Sequence, residues 1–151
     1  MTEHMLVDAF QSLATRSLPR PLLIWKIADR FTLDQPDTEL CWRGHTTKIE
    51  FKYCRKGVGI HEELGVGQQL TCQRYEEATQ HCWIVAYYAA DKKRLVSCEH
   101  TRVFRPSFLF NGAEPSIEPG YSLERLWMNG GMLLPGYDHA AIVRLIKDTH
   151  Q

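Results

Sequence analysis

The chain of 151 residues, 44% apolar and 24% charged, is long enough to close one hydrophobic core and too apolar to be disordered. Eighteen basic and eighteen acidic side chains give zero formal charge, which argues against binding nucleic acid through a broad positive surface. The five cysteines are never closer than ten positions, so no C-x-x-C zinc or redox pair exists and they read as reduced, mostly buried thiols.

Near the N-terminus, Leu6, Phe10 and Leu13 recur at i, i+4 and i+7 and predict an amphipathic helix over Glu3 to Leu13. The first five residues lack the basic start and apolar run of a secretory signal, which makes the cytoplasm the expected compartment. Pro19 and Pro21 end the helix, and the apolar run Leu22 to Ile27 is expected as a strand. After Pro36, two alternating stretches meet at Gly44, Asp37 to Arg43 and Thr46 to Tyr53, the pattern of a β-hairpin.

Gly57 to Gly67, rich in glycine and charge, predicts a loop, and Gln68 to Gln80 a second helix with Gln69, Gln73, Glu76 and Gln80 on one polar face. Cys82 to Ala89 is β-rich and almost continuously apolar, as in a strand buried on both faces. Leu95 to Cys98 and Arg102 to Phe104 are expected as short edge strands. Pro106 to Gly136 is expected to be mostly irregular, with a helical turn or two over Ser122 to Met128. Asp138 is placed as the N-cap of a last helix with the stripe Ala141, Ile142, Leu145 and Ile146. The longest apolar stretches, Pro21 to Trp25 and Trp83 to Ala90, fall far short of the ~20 residues that cross a bilayer, so no membrane span is expected. The expected organisation is one domain over 1–151, with its core over about 3–104 and a C-terminal appendage over 105–151.

The hairpin carries the chemistry. A two-residue turn at Arg43-Gly44 sets Trp42 opposite His45, and counting back sets Asp37 opposite Glu50. Asp37 and Glu39 then share a face with Lys48, Glu50 and Lys52, while Leu40 and Trp42 share the other with Thr47, Ile49 and Phe51. A slip of one residue would put Leu40 and Trp42 among the charges. The carboxylates of Asp37 and Glu50, with the backbone carbonyl of Phe51, are hard oxygen ligands suited to Mg²⁺ or Mn²⁺. Lys52, two residues from Glu50 in one strand, can orient an attacking water or neutralise charge in the transition state.

Pro36-Asp37 followed by Glu50-Phe51-Lys52 resembles the signature of the PD-(D/E)xK nuclease superfamily. The stretch from about Gln35 to Ala90, with Gln69 opening a helix before the strand Trp83 to Tyr88, is similar to the Holliday-junction resolvase and virus-type replication-repair nuclease branches. The resemblance implies a restriction-endonuclease-like α/β core, a mixed central sheet of about four strands flanked by helices. It also implies metal-dependent hydrolysis of DNA, leaving a 5′-phosphate. It points to a helical glutamine near the site, for which Gln69 is the best match with Gln68 and Gln73 as rivals, and to an acid from the first helix, Asp8 or Glu3. Arg55 and Lys56 stand where they could meet substrate phosphates.

E-x-K alone is a weak signal, because alternating Glu and Lys on a hairpin face is ordinary solubilising chemistry. It gains weight from Asp37 in register, the apolar back face and the helix and buried strand that follow. The expected activity is a Mg²⁺- or Mn²⁺-dependent endonuclease acting on DNA, nicking or structure-selective, with RNA not excluded and a homodimer needed to cut two strands together. The alternative is a catalytically silent nuclease-fold module that binds nucleic acid or a protein partner. Repair, phage conflict and mobile-element processing are all compatible settings.

Overall fold

The computed structural model describes residues 3–27, 36–55, 59–79, 81–89, 98–109 and 117–149. The first helix, α1 (Glu3–Ser17), runs one turn past the predicted end, to just before Pro19. The run after the prolines is strand β1 (Leu22–Lys26), antiparallel to β2 (Thr38–Trp42), which is hairpinned to β3 (His45–Cys54). The hairpin register is the predicted one, with Trp42 against His45 and Glu39 against Lys48. Both turn residues, Arg43 and Gly44, have positive φ (50° and 78°), a two-residue geometry whose twist matches that of the flanking strands.

The predicted loop over Gly57 to Gly67 contains a short helix, α2 (Ile60–Glu63), and the next helix, α3 (Val66–Thr79), begins two residues earlier than expected. Its polar face is not simply solvated. Glu76 is buried, accepts hydrogen bonds from the Ser107 amide and hydroxyl at 2.7 and 3.0 Å, and pairs with Arg105 at 3.0 Å. The apolar strand is β4 (Cys82–Ala89), parallel to β3 and buried along almost its whole length. In place of two edge strands, one strand, β5 (Cys98–Phe104), lies inside the sheet; Leu95 to Ser97 fall outside the described residues.

The largest departure from expectation lies after Pro106. The helices α4 (Leu123–Asn129) and α5 (His139–Thr149) stand where helical turns and a last helix were expected, but a 3-10 turn (Pro106–Leu109) and a strand, β6 (Gly131–Pro135), occupy what was expected to be irregular. β6 pairs antiparallel with β5, so the sheet among the described residues has six strands in the order β1-β2-β3-β4-β5-β6, rather than about four. Among the described residues of this stretch, Met132 and Leu134 of β6 and Ala141, Ile142, Leu145 and Ile146 of α5 belong to the main core. Gly-Gly at 130–131 hides the strand from sequence: Gly130 is the left-handed cap of α4 (φ 82°) and Gly131 already belongs to β6. Asp138 caps α5 as predicted, its carboxylate accepting from the Ala141 amide at 3.0 Å.

The result is an α/β arrangement with a mixed sheet between two layers of helix. One face carries α1, α4 and α5 over Leu40, Ile49, Phe51, Trp83, Val85 and Val103. The other carries α2, α3 and the 3-10 turn over a smaller cluster that includes Cys54, Cys82, Ile84, Ala86 and Phe104. β3 is thus covered on both sides, and its polar face, expected to be open, is largely inside the protein: Lys48 is 5% exposed and Glu50 1%. No two of the five cysteines are joined; Cys54, Cys72 and Cys82 are buried. Among the described residues no helix is long and apolar enough to cross a membrane.

Candidate active site

β2 begins at Thr38, opposite Ile49, but β3 continues to Cys54. From Glu50 onward β3 keeps β4 on one edge and, among the described residues, has no strand on the other, which leaves a notch in the plane of the sheet. An edge of this kind exposes backbone donors that need partners, and acids supply them. The Phe51 amide donates to Asp37 Oδ2 at 2.9 Å, and the Tyr53 amide donates to Glu3 Oε2 at 3.2 Å. The N–H and C=O of one extended residue leave its strand on the same edge, so the Phe51 carbonyl also faces the notch.

Glu50 and Lys52 project from β3 on the α3 side and flank the same opening. Glu50 Oε2 accepts from the Asp37 amide at 3.2 Å, and its carboxyl group is hydrogen-bonded to that of Asp37. Glu50 Oε1 lies 3.2 Å from Lys52 Nζ, which is 3.7 Å from Glu3 Oε1 on the other side. Gln68 completes the shell. Its Nε2 donates to Glu50 Oε1 at 3.3 Å, while its Oε1 accepts from the Gly65 amide at 3.2 Å. Gly65 precedes the first residue of α3 and Gln68 is the third, so this is the glutamine half of a capping box, and it fixes the amide that points at Glu50.

The electrostatics follow from burial. Glu50 is pushed up to about 8 by removal from water and by the neighbouring Asp37 charge, against the pull of Lys52. Asp37 is also raised by burial, which outweighs the Phe51 hydrogen bond and the charges of Lys52 and Lys26. Glu3 is raised by burial, opposed chiefly by Lys52. For Lys52, burial pulls the ammonium down, but Glu50, Glu3 and Asp37 together outweigh it and hold the group above its ordinary range. Burial therefore favours the protonated form of Glu50 at neutral pH, and the surrounding carboxylates favour the charged form of Lys52.

Asp37, Glu50 and Lys52 converge as the register predicted, and the Phe51 carbonyl faces them. Gln69 does not join them, because its amide turns to the Leu64 carbonyl at 3.3 Å. The earlier start of α3 rotates its rival Gln68 onto Glu50 instead. Asp8 is likewise displaced. It is more than half exposed and paired with Lys26 at 2.6 Å, whereas Glu3 reaches the site. Glu3 shares the spacing of Val7, Phe10 and Ala14, the buried stripe of α1, a signal already present in the sequence. Arg55 is exposed at the end of β3, and Lys56 lies outside the described residues.

Among the described residues no group of three or more His, Cys, Asp or Glu side chains is arranged to hold a metal ion. The oxygen donors at the notch are fewer: the carboxylates of Glu50 and Asp37, the first buried and the second half-buried, and one backbone carbonyl. No protein-family model and no curated protein matches this chain.

Proposed function

We propose that this chain is a divalent-metal-dependent nuclease that hydrolyses phosphodiester bonds of DNA. The observation that carries the reading is the Asp37–Glu50 pair at the notch of β3, Glu50 buried and Asp37 half-buried, beside a lysine whose charged form the carboxylates favour. Ionising both members of the pair would set two like charges side by side, which is costly and needs compensation. A cation supplies it in a way that a purely structural pair of side chains would not require.

Asp37, Glu50 and the Phe51 carbonyl would hold Mg²⁺ or Mn²⁺, which when bound polarises a phosphate oxygen and lowers the pKa of a water nucleophile. Lys52 cannot take a proton from that water at neutral pH, because its own proton is held by Glu50 and Glu3. Its role is that of a donor: it orients the nucleophile or neutralises charge on the phosphate oxygens as the transition state forms. Gln68 keeps Glu50 turned toward Asp37, and Glu3 steadies Lys52. The membership in the PD-(D/E)xK superfamily that the motif suggests agrees with this assignment, and a second copy of the chain would be needed to cut both strands together.

Two observations favour a silent binding module instead. Asp37 and Glu3 each serve a structural purpose by capping strand amides, and the chain has no net charge. Incubation of supercoiled plasmid, linear duplex, a synthetic four-way junction and matching RNA with Mg²⁺, Mn²⁺ or EDTA separates the two. Metal-dependent cutting that disappears in Glu50→Ala and Lys52→Ala supports the nuclease. Absence of cutting by folded protein on every substrate, with metal bound, would transfer the assignment to the module.

A further inference from the structure

Beside the carboxylate pair lies a cleft of about 210 Å³ lined by Glu3, His4, Val7, Lys26, Ile27 and Asp37. Lys26 ends β1 opposite Thr38, and the next amide, that of Ile27, donates to the Asp37 carbonyl at 2.7 Å. The backbone thus fixes Lys26 close to Asp37, and its charge lowers the Asp37 carboxyl. The Lys26 ammonium lies 2.6 Å from Asp8 Oδ1 and 3.0 and 3.1 Å from the two ring nitrogens of His4. Asp8 and His4 are 56% and 72% exposed, whereas Lys26 is 23%. The cation is held in the wall of the cleft, and its anionic partner is solvated and readily replaced.

We propose that Lys26 is a substrate-binding residue that takes a non-bridging oxygen of a backbone phosphate next to the one being cut, exchanging Asp8 for it. The proposal rests on the nuclease reading and deepens it. With Lys52 on the far side, the acidic pair sits between two cations, an arrangement suited to a ligand whose negative charges recur along a chain. It also accounts for how a chain of zero net charge engages a polyanion: by two aimed lysines at the notch rather than a positive surface. A lysine–phosphate contact is charge-assisted and outcompetes an exposed carboxylate, because the phosphate arrives with neighbouring contacts already made.

The test is the anisotropy of a fluorescein-labelled DNA duplex across a KCl series, at saturating Ca²⁺ in place of Mg²⁺ so that the duplex stays intact. Lys26→Met should weaken binding about tenfold and make the salt dependence shallower by about one phosphate contact, while Lys26→Arg retains both. Asp8→Asn should tighten binding in the wild-type background and have no effect in the Lys26→Met background, a coupling that a merely structural ion pair would not produce. If wild type binds and Lys26→Met matches it in affinity and salt slope, the Lys26 assignment is wrong and the nuclease reading stands. If wild type binds neither the duplex nor a labelled four-way junction, both fall.

Discussion

The raised pKa of Glu50 makes a quantitative claim about folding. In the unfolded chain this carboxyl gives up its proton near 4.5, whereas in the folded protein it holds the proton to about 8. Between those values the folded state binds more protons than the unfolded one, so stability is fully present below pH 4.5 and falls as pH rises toward 8. Over the span from about pH 5 to about pH 9 the group costs the metal-free fold about 4 kcal/mol. Glu50→Gln keeps the shape and the hydrogen bonds to Lys52 and Gln68 but removes the ionisation, and it relieves Asp37 of a like charge. In EDTA the variant should therefore melt progressively higher than wild type as pH rises. The difference should widen by about 8 to 16 °C across that span, at about 2 to 4 °C per kcal/mol for a chain of this size. Thermal unfolding of both proteins in a pH series, followed by circular dichroism, measures it. Parallel pH profiles would refute the reasoning, since they would mean that Glu50 ionises in the fold as freely as in water.

Metal binding should displace the proton on Glu50, so titration of Mg²⁺ or Mn²⁺ near pH 7 should release about one proton, seen as a dependence of calorimetric heat on buffer ionisation enthalpy, and none above about pH 9. Apparent affinity should rise with pH until Glu50 is ionised and should be lost in Asp37→Asn. His139 is buried among Phe10, Phe51 and Tyr87 and pushed down to about 4 by loss of water. Its contribution has the opposite sign, present above pH 6.5 and lost as pH falls toward 4, and His139→Phe should remove about 3 kcal/mol of acid sensitivity in denaturant titrations. Gly130→Ala forces a left-handed residue to carry a Cβ that would overlap the Phe108 side chain. Urea unfolding should show a loss of about 2 to 5 kcal/mol, from the backbone and the overpacking together.

The legibility of this chain follows the range of each interaction. The hairpin was readable because a two-residue turn and an alternation with one apolar face leave a single register, so Asp37, Glu50 and Lys52 could be brought together by counting. The C-terminal strand was not. Gly131 to Pro135 has no alternation of its own and becomes a strand only because β5 offers it an edge, a pairing between residues some thirty positions apart. The burial of Glu50 was equally hidden, since the helices that cover β3 from the far face announce themselves only weakly. α3 buries Cys72 and a glutamate, so it carries no apolar stripe to declare which side faces the sheet.

The two errors in residue assignment share one origin, and it is angular. An α-helix turns 100° per residue, so a start misplaced by two residues exchanges Gln69 for Gln68 and an acid five positions along a helix points away from its predecessor. Side chains that serve a site from a helix's first turn are therefore fixed by the cap, not by the periodicity that follows. Gly65 receiving Gln68, and Glu3 at the first turn of α1, are cap-level facts. Both place a polar group over the β3 notch, where the ends of two helices and the start of β2 meet around strand amides that no neighbouring strand can pair. The acids satisfy those amides in the metal-free protein, and the same placement makes them available as ligands. On the proposed reading, stability in the absence of metal and competence to bind it are set by one geometry, which is why the pH dependence of folding and the proton released by metal should report the same pair of carboxylates.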